Sequence, residues 1–385
     1  MSFDHYINSG GRKLRLGYTT GTCAALAAMG AAELCLTGRK PGFLSLLVPK
    51  GLEVTVRPDD MGVCPDGRCF CAVRKDGGDD KDATSGLLVY AYASVRPGRG
   101  SGRVCIDGGK GIGRVTKPGL DQPVGAAAIN SVPRQMITRC VRRIMEEQGS
   151  SADMDILIEA PDGEQAAART FNRHLGIVGG ISIIGTSGIV EPMSLRAYSD
   201  AVCLEIRQKA AEGHKRLILT PGNYGLEFLR TEGFILTDVP VVICSNFIGD
   251  ALDQAVTDGF TQLLLTGHVG KLVKLAAGIM NTHSSVADGR KEIFTAYAAL
   301  CGADTETCLR LMDAATTDAC IDILKQAGLH EEVLSRILRE AGNHLRDRAG
   351  ASCQTGMIMF SRIHGRLGCA PGTEDLLKSW YSRSF

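Results

Sequence analysis

Between residues 194 and 280 the sequence alternates helix-patterned stretches with short apolar runs rich in Leu, Ile and Val. The runs are RLILT (216–220), VPVVICS (239–245) and FTQLLLTG (260–267). The intervening periodicity predicts helices over 194–212, 224–232, 248–258 and 269–280. Strands joined through helices with short connections run parallel, because a parallel pair needs a crossover and the helix supplies it. The expected C-terminal domain is therefore α/β with a mostly parallel sheet. In open sheets of this kind ligands bind beyond the carboxyl ends of the strands, which places Pro221–Gly225, Ser245–Asp250 and Gly267–Lys271 along one edge.

The preceding residues follow a different rhythm. LRLGYTTGTCAALAAMGAAELCLTG (14–38) predicts a short strand or loop, a Thr/Gly turn and an Ala-rich helix capped by Thr19, Thr20 or Thr22 and stopped at Gly38. Strands are expected at 44–48, 52–57, 69–74 and 87–95, and an amphipathic helix from Val132 to Gln148. Two further strands are expected around the turn Pro161-Asp162-Gly163. This is α+β patterning. A chain of 385 residues exceeds what one core usually organises, so two domains are expected: 1–190, α+β, and 191–385, α/β with a helical C-terminal part. That part runs from Ala314 to Ala349 and ends in a β-like segment, CQTGMIMFSRIHGRLG.

Composition narrows the function classes. Hydrophobic content of 44% and charged content of 22% argue for packed cores rather than disorder. A net charge of +1 supplies no field for a polyanion, so neither nucleic acid nor a membrane surface is an expected partner, and an anionic ligand must meet locally placed Lys and Arg. No stretch of about 18 uncharged apolar residues occurs, and the first residues have no signal-peptide core, so the expected location is cytoplasmic. The 14 Cys are scattered singly, as buried thiols are. The densest group, Cys64, Cys69 and Cys71, fits no common zinc spacing, and no metal site is expected.

Three C-terminal strand ends run into glycine turns and then helices: TPGNYG (220–225), SNFIGD (245–250) and TGHVGK (266–271). Gly permits close approach of backbone to a ligand, and a helix start offers free N–H donors; each loop alone is equally an ordinary connection. The GxGxxG dinucleotide turn is absent from its strand-turn-helix setting, and GGKGIG (108–113) precedes no helix. The segment from Gly267 to Arg290 adds Lys271 and Lys274 on a helix and Asn281, His283, Asp288 and Arg290 in a loop, a set suited to ligand orientation and proton handling. Taken singly, His268 or His283 is as readily a structural hydrogen-bonding residue. In the N-terminal half, Asp76, Asp79, Asp80 and Asp82 lack calcium-loop spacing and also suit a solvated turn. Lys110, Arg114, Lys117 and Arg134 sit on Gly/Pro-shaped backbone, as carboxylate partners or as a packed surface connection. GTSG (185–188) lacks the nucleophile-elbow form, so Ser187 is not an expected acyl-transfer residue.

Taken together, GYTTGTCAA, VRKDGGDDKDATSG, GRVTKPGL, VPR, RTFN, LGIVGGISIIGTSGIVEPM, GNYG, SNFIGD and GKLVKLAAGIMNTHSSVADGR resemble the CbiD family, in order, from about Arg15 to about Arg290. The chain departs where the family usually reads FNPRLG, having Phe171-Asn172-Arg173-His174-Leu175-Gly176, and carries Ser85 at a position often held by His. The resemblance implies methyl transfer from S-adenosylmethionine to carbon 1 of a ring-contracted cobalt-precorrin in anaerobic cobalamin biosynthesis. It also implies a Rossmann-like C-terminal part.

On that reading Gly222, Asn223, Tyr224, Gly225, Asn246 and Gly249 are the expected donor-binding residues. Lys117, Arg134, His268, Lys271, Lys274, Asn281 and Arg290 would face the cobalt-precorrin substrate and its carboxylates. If a proton must leave the macrocycle, His283, Asp288 and Asp250 are the candidate bases. A non-catalytic tetrapyrrole carrier and a nicotinamide-dependent reductase are the alternatives, the second weakened by the missing acidic residue after a GxGxxG turn. A homo-oligomer is left open.

Overall fold

The Ala-rich segment folds as helix α1 (Thr20–Thr37) and forms the centre of the first core. Thr19, in extended conformation, accepts the Thr22 N–H at its start, and Gly38 closes it with φ +71°, donating to the Leu34 carbonyl. The structure, a computed structural model, describes residues 3–9, 11–96, 100–170, 172–173, 175–232 and 238–381. The chain divides into two units, Met1–Ser194 and Leu195–Phe385.

In the first unit a hairpin of β1 (Tyr6–Ser9) and β2 (Arg12–Arg15) leads into β3 (Gly17–Tyr18) and α1. A second hairpin, β4 (Leu44–Leu47) and β5 (Glu53–Val56), follows. The main sheet uses β6 (Asp60–Val63), β7 (Cys69–Arg74), β8 (Leu88–Val95), β9 (Val104–Gly108) and β11 (Met154–Glu159), in the order β6-β7-β8-β11-β9. β10 (Arg114–Val115) and β12 (Ile177–Val178) pair with each other, and β13 (Ile189–Val190) pairs with β3. Alternation fixes the sheet's faces. Val89, Ala91 and Ala93 of β8 and Met154, Ile156 and Ile158 of β11 point into the core, while Tyr90 and Tyr92 stack on the other face at 6.3 Å.

Helices α1 and α2 (Ser131–Glu147) pack together, with α1 on β7 and β8. They come close because α1 presents small side chains: a methyl group added at Gly21 would stand 2.8 Å from the Pro133 ring of α2, and one at Gly30 2.8 Å from Cys71 Sγ of β7. The expected strand after Pro161-Asp162-Gly163 is instead a short helix, α3 (Gly163–Ala167). The run Glu-Gln-Ala-Ala has helical propensity and no β-branched residue to favour a strand.

The second unit begins with α4 (Leu195–Ala211) and continues through β14 (Arg216–Thr220), α5 (Asn223–Thr231), β15 (Val241–Ile243), α6 (Ile248–Thr257) and β16 (Gln262–His268). Then come α7 (Val269–Leu272), a 3-10 turn (Val273–Ala277), and helices α8 (Arg290–Leu300), α9 (Thr305–Asp313), α10 (Thr317–Gln326) and α11 (His330–Ala349). The unit closes with β17 (Gln354–Ser361), β18 (Gly365–Cys369) and α12 (Thr373–Tyr381). Its sheet has the order β15-β14-β16-β17-β18; the first four strands are parallel and β18 is antiparallel.

Both faces of this sheet are buried. Leu217, Leu219, Leu263, Leu265, Met357 and Met359 face α4, α6, α8 and α11, whereas Ile218, Leu264 and Ile358 face α5 and α12, where Trp380 is enclosed. The expected single helix over 269–280 is broken: one α-turn gives way to the 3-10 turn and ends at Gly278, φ +72°. The β-like tail turns out to be two strands of the main sheet.

Candidate functional site

Chain order places β14 in the middle of its first three strands, with β15 on one side and β16 on the other. The strand order reverses between β14 and β16, the switch point at which such sheets bind ligands beyond their carboxyl ends. Gly267 lies against Pro221 there: an added Cβ at Gly267 would stand 3.0 Å from the Pro221 ring. Beneath the first turn of α5, the hydroxyls of Thr220 and Thr266 are buried at the ends of adjacent strands and have no partner among the described residues.

Lys271 ties this edge together. Its half-buried ammonium donates to the Pro221 carbonyl at 2.7 Å and the Ser245 carbonyl at 3.3 Å, clamping the loops after β14 and β15. Ser245 holds φ +53°, a left-handed conformation uncommon outside Gly. Burial lowers the Lys271 pKa from its ordinary value. The third loop is fixed by His268, whose Nδ1 accepts the Gly270 N–H at 3.1 Å. Burial lowers the His268 pKa as well, so near neutral pH the ring is uncharged and Nε2 carries its proton.

Of the other expected donor-binding residues, Asn223 and Tyr224 are exposed at the start of α5 and Gly222 opens onto free space. Gly225 is a packing residue, its added Cβ falling 2.8 Å from Thr220 Cβ and 2.9 Å from the Thr266 carbonyl oxygen. Asn246 and Gly249 bond within the protein: Gly249 N–H donates to the Met280 carbonyl at 3.1 Å, and Asn246 receives both the N–H and the hydroxyl of Thr282. Asn281 forms a bridge with Phe247, and its Oδ1 accepts the His283 N–H at 3.1 Å.

The charged residues of the 267–290 segment are engaged differently from one another. Lys274 is 2% exposed and donates to the carbonyls of Ala287 (2.8 Å) and Thr282 (3.1 Å), so its ammonium is enclosed by the loop it organises. Arg290 grips Asp288 through two bonds, 2.5 and 2.8 Å, and this holds the Asp288 carboxyl down to about 2. His283 Nδ1 lies 2.7 Å from Ser285 Oγ and accepts the Ser285 N–H at 3.1 Å. Asp250 accepts the Ser199 hydroxyl at 2.5 Å.

The expected cations of the first unit lie against its own chain, and Arg114 pairs with Asp107. Arg134 donates to the carbonyls of Ile129 (2.8 Å) and Ile106 (2.9 Å), and the Lys117 stem runs under Gly176. The acidic loop is likewise satisfied internally. Asp76 pairs with Arg15 at 2.5 and 2.8 Å, buried Lys75 pairs with Asp82, and Asp79 accepts the Arg15 N–H at 2.6 Å. Phe171 and His174 lie outside the described residues. Among the described residues no three His, Cys, Asp or Glu side chains converge on a metal-sized space.

The reading from sequence missed the carboxyl end of β17. Phe360 stacks on Phe228 of α5 at 4.3 Å with the rings nearly parallel, His268 meets Phe360 edge-on at 5.9 Å, and the Arg362 guanidinium lies 4.5 Å from the Tyr224 ring centroid. The apolar run GMIMF was the available signal for a fourth parallel strand. An open depression of about 670 Å³ lies instead at the amino end of β17, beside Arg346, Gln354 and Pro371. In sheets of this kind ligands bind beyond the opposite, carboxyl edge.

These features define an α/β protein whose second unit gathers three glycine-containing loops beyond the carboxyl edge of a mostly parallel sheet. The CbiD family matches residues 7–192, and its C-terminal domain matches residues 281–371. Similar proteins named cobalt-precorrin-5B C(1)-methyltransferase come from Thermoanaerobacter sp. (44% identical over 335 residues; 87% of this chain, 89% of that one) and Ruminiclostridium cellulolyticum (42% over 365; 94% and 93%). Another, from Salmonella typhimurium, is 42% identical over 382 residues, 98% of each chain. A 1.9 Å crystal structure of cobalamin biosynthesis protein (cbiD) from Archaeoglobus fulgidus is 26% identical, with a TM-score of 0.40, over 74% of this chain and 87% of that one. The chain belongs to the CbiD family.

Proposed function

We propose that this protein transfers a methyl group from S-adenosylmethionine to carbon 1 of cobalt-precorrin-5B, giving cobalt-precorrin-6A, in the cytoplasmic anaerobic route to cobalamin. The observation that carries the activity is identity sustained through both units: 42% over 98% of a relative named for this reaction. The C-terminal unit is read as Rossmann-like, on its order β15-β14-β16 with helices on both faces. S-adenosylmethionine is the donor that suits the amino end of α5, where Gly222 leaves space and Asn223 and Tyr224 are exposed.

S-adenosylmethionine supplies an electrophilic methyl on a sulfonium, and a carbon nucleophile must approach it in line. Holding two bound molecules in that geometry accounts for most of the required acceleration. Lys271 contributes by fixing the loops after β14 and β15, and Lys274 by fixing the 281–288 loop; we assign both to positioning. His268 and His283 present Nε2–H donors, because Nδ1 of each accepts a backbone N–H. Asp288, held near 2 by Arg290, is a weak base. Asp250, in the first turn of α6, accepts the Ser199 hydroxyl and is the candidate base that remains.

The test is incubation of the protein with cobalt-precorrin-5B and donor labelled with 13C in the methyl group. The expected result is one labelled methyl on carbon 1 and an equal amount of S-adenosylhomocysteine. Tight precursor binding without thioether release would identify a carrier and overturn the reading, as would consumption of a reduced nicotinamide.

A further inference from the structure

We propose that Arg362, at the carboxyl end of β17, receives a carboxylate of a bound ligand and is held ready for it by Tyr224. This rests on the methyl-transfer reading, in which both bound molecules carry carboxylates.

The cations along this edge divide by what already occupies them. Lys271 and Lys274 each donate to two carbonyls, and Arg290 is held by Asp288. Arg362 is exposed, and among the described residues its guanidinium has neither a carboxylate nor a carbonyl partner. It lies over the face of Tyr224 at 4.5 Å. Stacking on an aromatic face restrains a guanidinium while leaving its in-plane N–H groups free, and those groups match a carboxylate in a two-pronged contact.

The base of the side chain is fixed as well. Ser361 donates to Asp318 at 2.5 Å and accepts the N–H groups of Ile363 and His364, which ties the turn carrying Arg362 to α10. Asp318 is thus engaged with Ser361, and Asp322 of the same helix lies 3.4 Å from His364 Nε2. On the strand that leads to Arg362, Phe360 is buried, stacked on Phe228 and met edge-on by His268, so the backbone preceding Arg362 is anchored by packing.

The experiment compares parent protein with Arg362→Gln and Arg362→Lys, using S-adenosylmethionine, its decarboxylated analogue and cobalt-precorrin-5B as probes. An unchanged unfolding midpoint is expected for this exposed position. If the donor carboxylate is received, the parent prefers S-adenosylmethionine over the decarboxylated form by roughly tenfold or more, as for a charged hydrogen-bonded pair, and Arg362→Gln abolishes the preference. If a substrate carboxylate is received, Arg362→Gln raises the precursor Kd by a similar factor and flattens its salt dependence, leaving donor affinity alone. Arg362→Lys falls between in either case.

Equal preference, equal precursor Kd and equal salt dependence in parent and Arg362→Gln would overturn the assignment. Failure of the methyl-transfer reading is a separate result, seen as absence of S-adenosylhomocysteine release by the parent. The comparison of binding affinities still decides the role of Arg362 in that case.

Discussion

Asn246 and Thr282 hold each other twice: the Thr282 N–H donates to the Asn246 carbonyl at 3.0 Å, and its hydroxyl donates to Asn246 Oδ1 at 3.2 Å. The pair joins the loop after β15 to the loop after the 3-10 turn, so the two most distinctive C-terminal motifs form one construction. Thr282→Val keeps the backbone bond and removes the side-chain one inside a buried site. A loss of about 1–2 kcal/mol in urea denaturation is expected, with a fall in methyl transfer. Full stability in this variant would show that the side-chain bond contributes nothing.

Lys274→Met should act on the fold rather than on ligand charge. Its ammonium is enclosed by two carbonyls, so removal leaves buried acceptors unmet and costs about 2–3 kcal/mol. Precursor affinity should keep its dependence on salt. A stable Lys274→Met protein with a weakened salt dependence would place Lys274 against the ligand instead.

Gly222 and Gly225 make a discriminating pair. A Cβ at Gly222 meets nothing within 4 Å, whereas one at Gly225 meets Thr220 and the backbone of Thr266. Gly225→Ala is expected to lose about 1–3 kcal/mol through overpacking. Gly222→Ala is expected to leave the unfolding curve nearly unchanged and to weaken donor binding. Normal donor affinity in Gly222→Ala would remove that residue from the site.

Two groups set successive pH windows. Folding lowers the His268 pKa from its ordinary 6.5, so as pH falls below about 6.5 the unfolded chain takes up the proton first and stability declines. Asp288, at about 2 against an ordinary 3.8, stabilises the fold above pH 4, and that contribution disappears between about pH 4 and pH 2. Asp288 is half exposed, so its part is at most about 1 kcal/mol. Denaturation of His268→Asn and Asp288→Asn across pH should flatten the upper and lower windows respectively; curves parallel to the parent would refute the assignments.

The parallel sheet was legible because RLILT and FTQLLLTG are short apolar runs separated by helical periods, and α1 because Thr and Gly bracket a run of Ala. β17 was harder to place, since its partner β16 is far away in sequence and no local pattern records that pairing. The hydrogen-bond partners of Lys274 and Arg134 were not legible at all. Both are held by backbone carbonyls, and since every residue carries one, sequence cannot say where such acceptors will gather. The stacked pair Phe228 and Phe360 escaped for a related reason: its members come from separate elements and meet only once the sheet has formed.

Helix α1 carries a consequence for how the chain is made. It is apolar on all sides, long enough to cross a membrane, and 78% enclosed in the folded unit. The surfaces that enclose it, β7, β8 and α2, are encoded downstream, the last at Ser131–Glu147. At about 5–20 residues per second, a newly made α1 waits several seconds beside the ribosome before α2 exists to cover it. During that interval the segment resembles a client for chaperones or for the export machinery, and any clone truncated before α2 should partition into inclusion bodies.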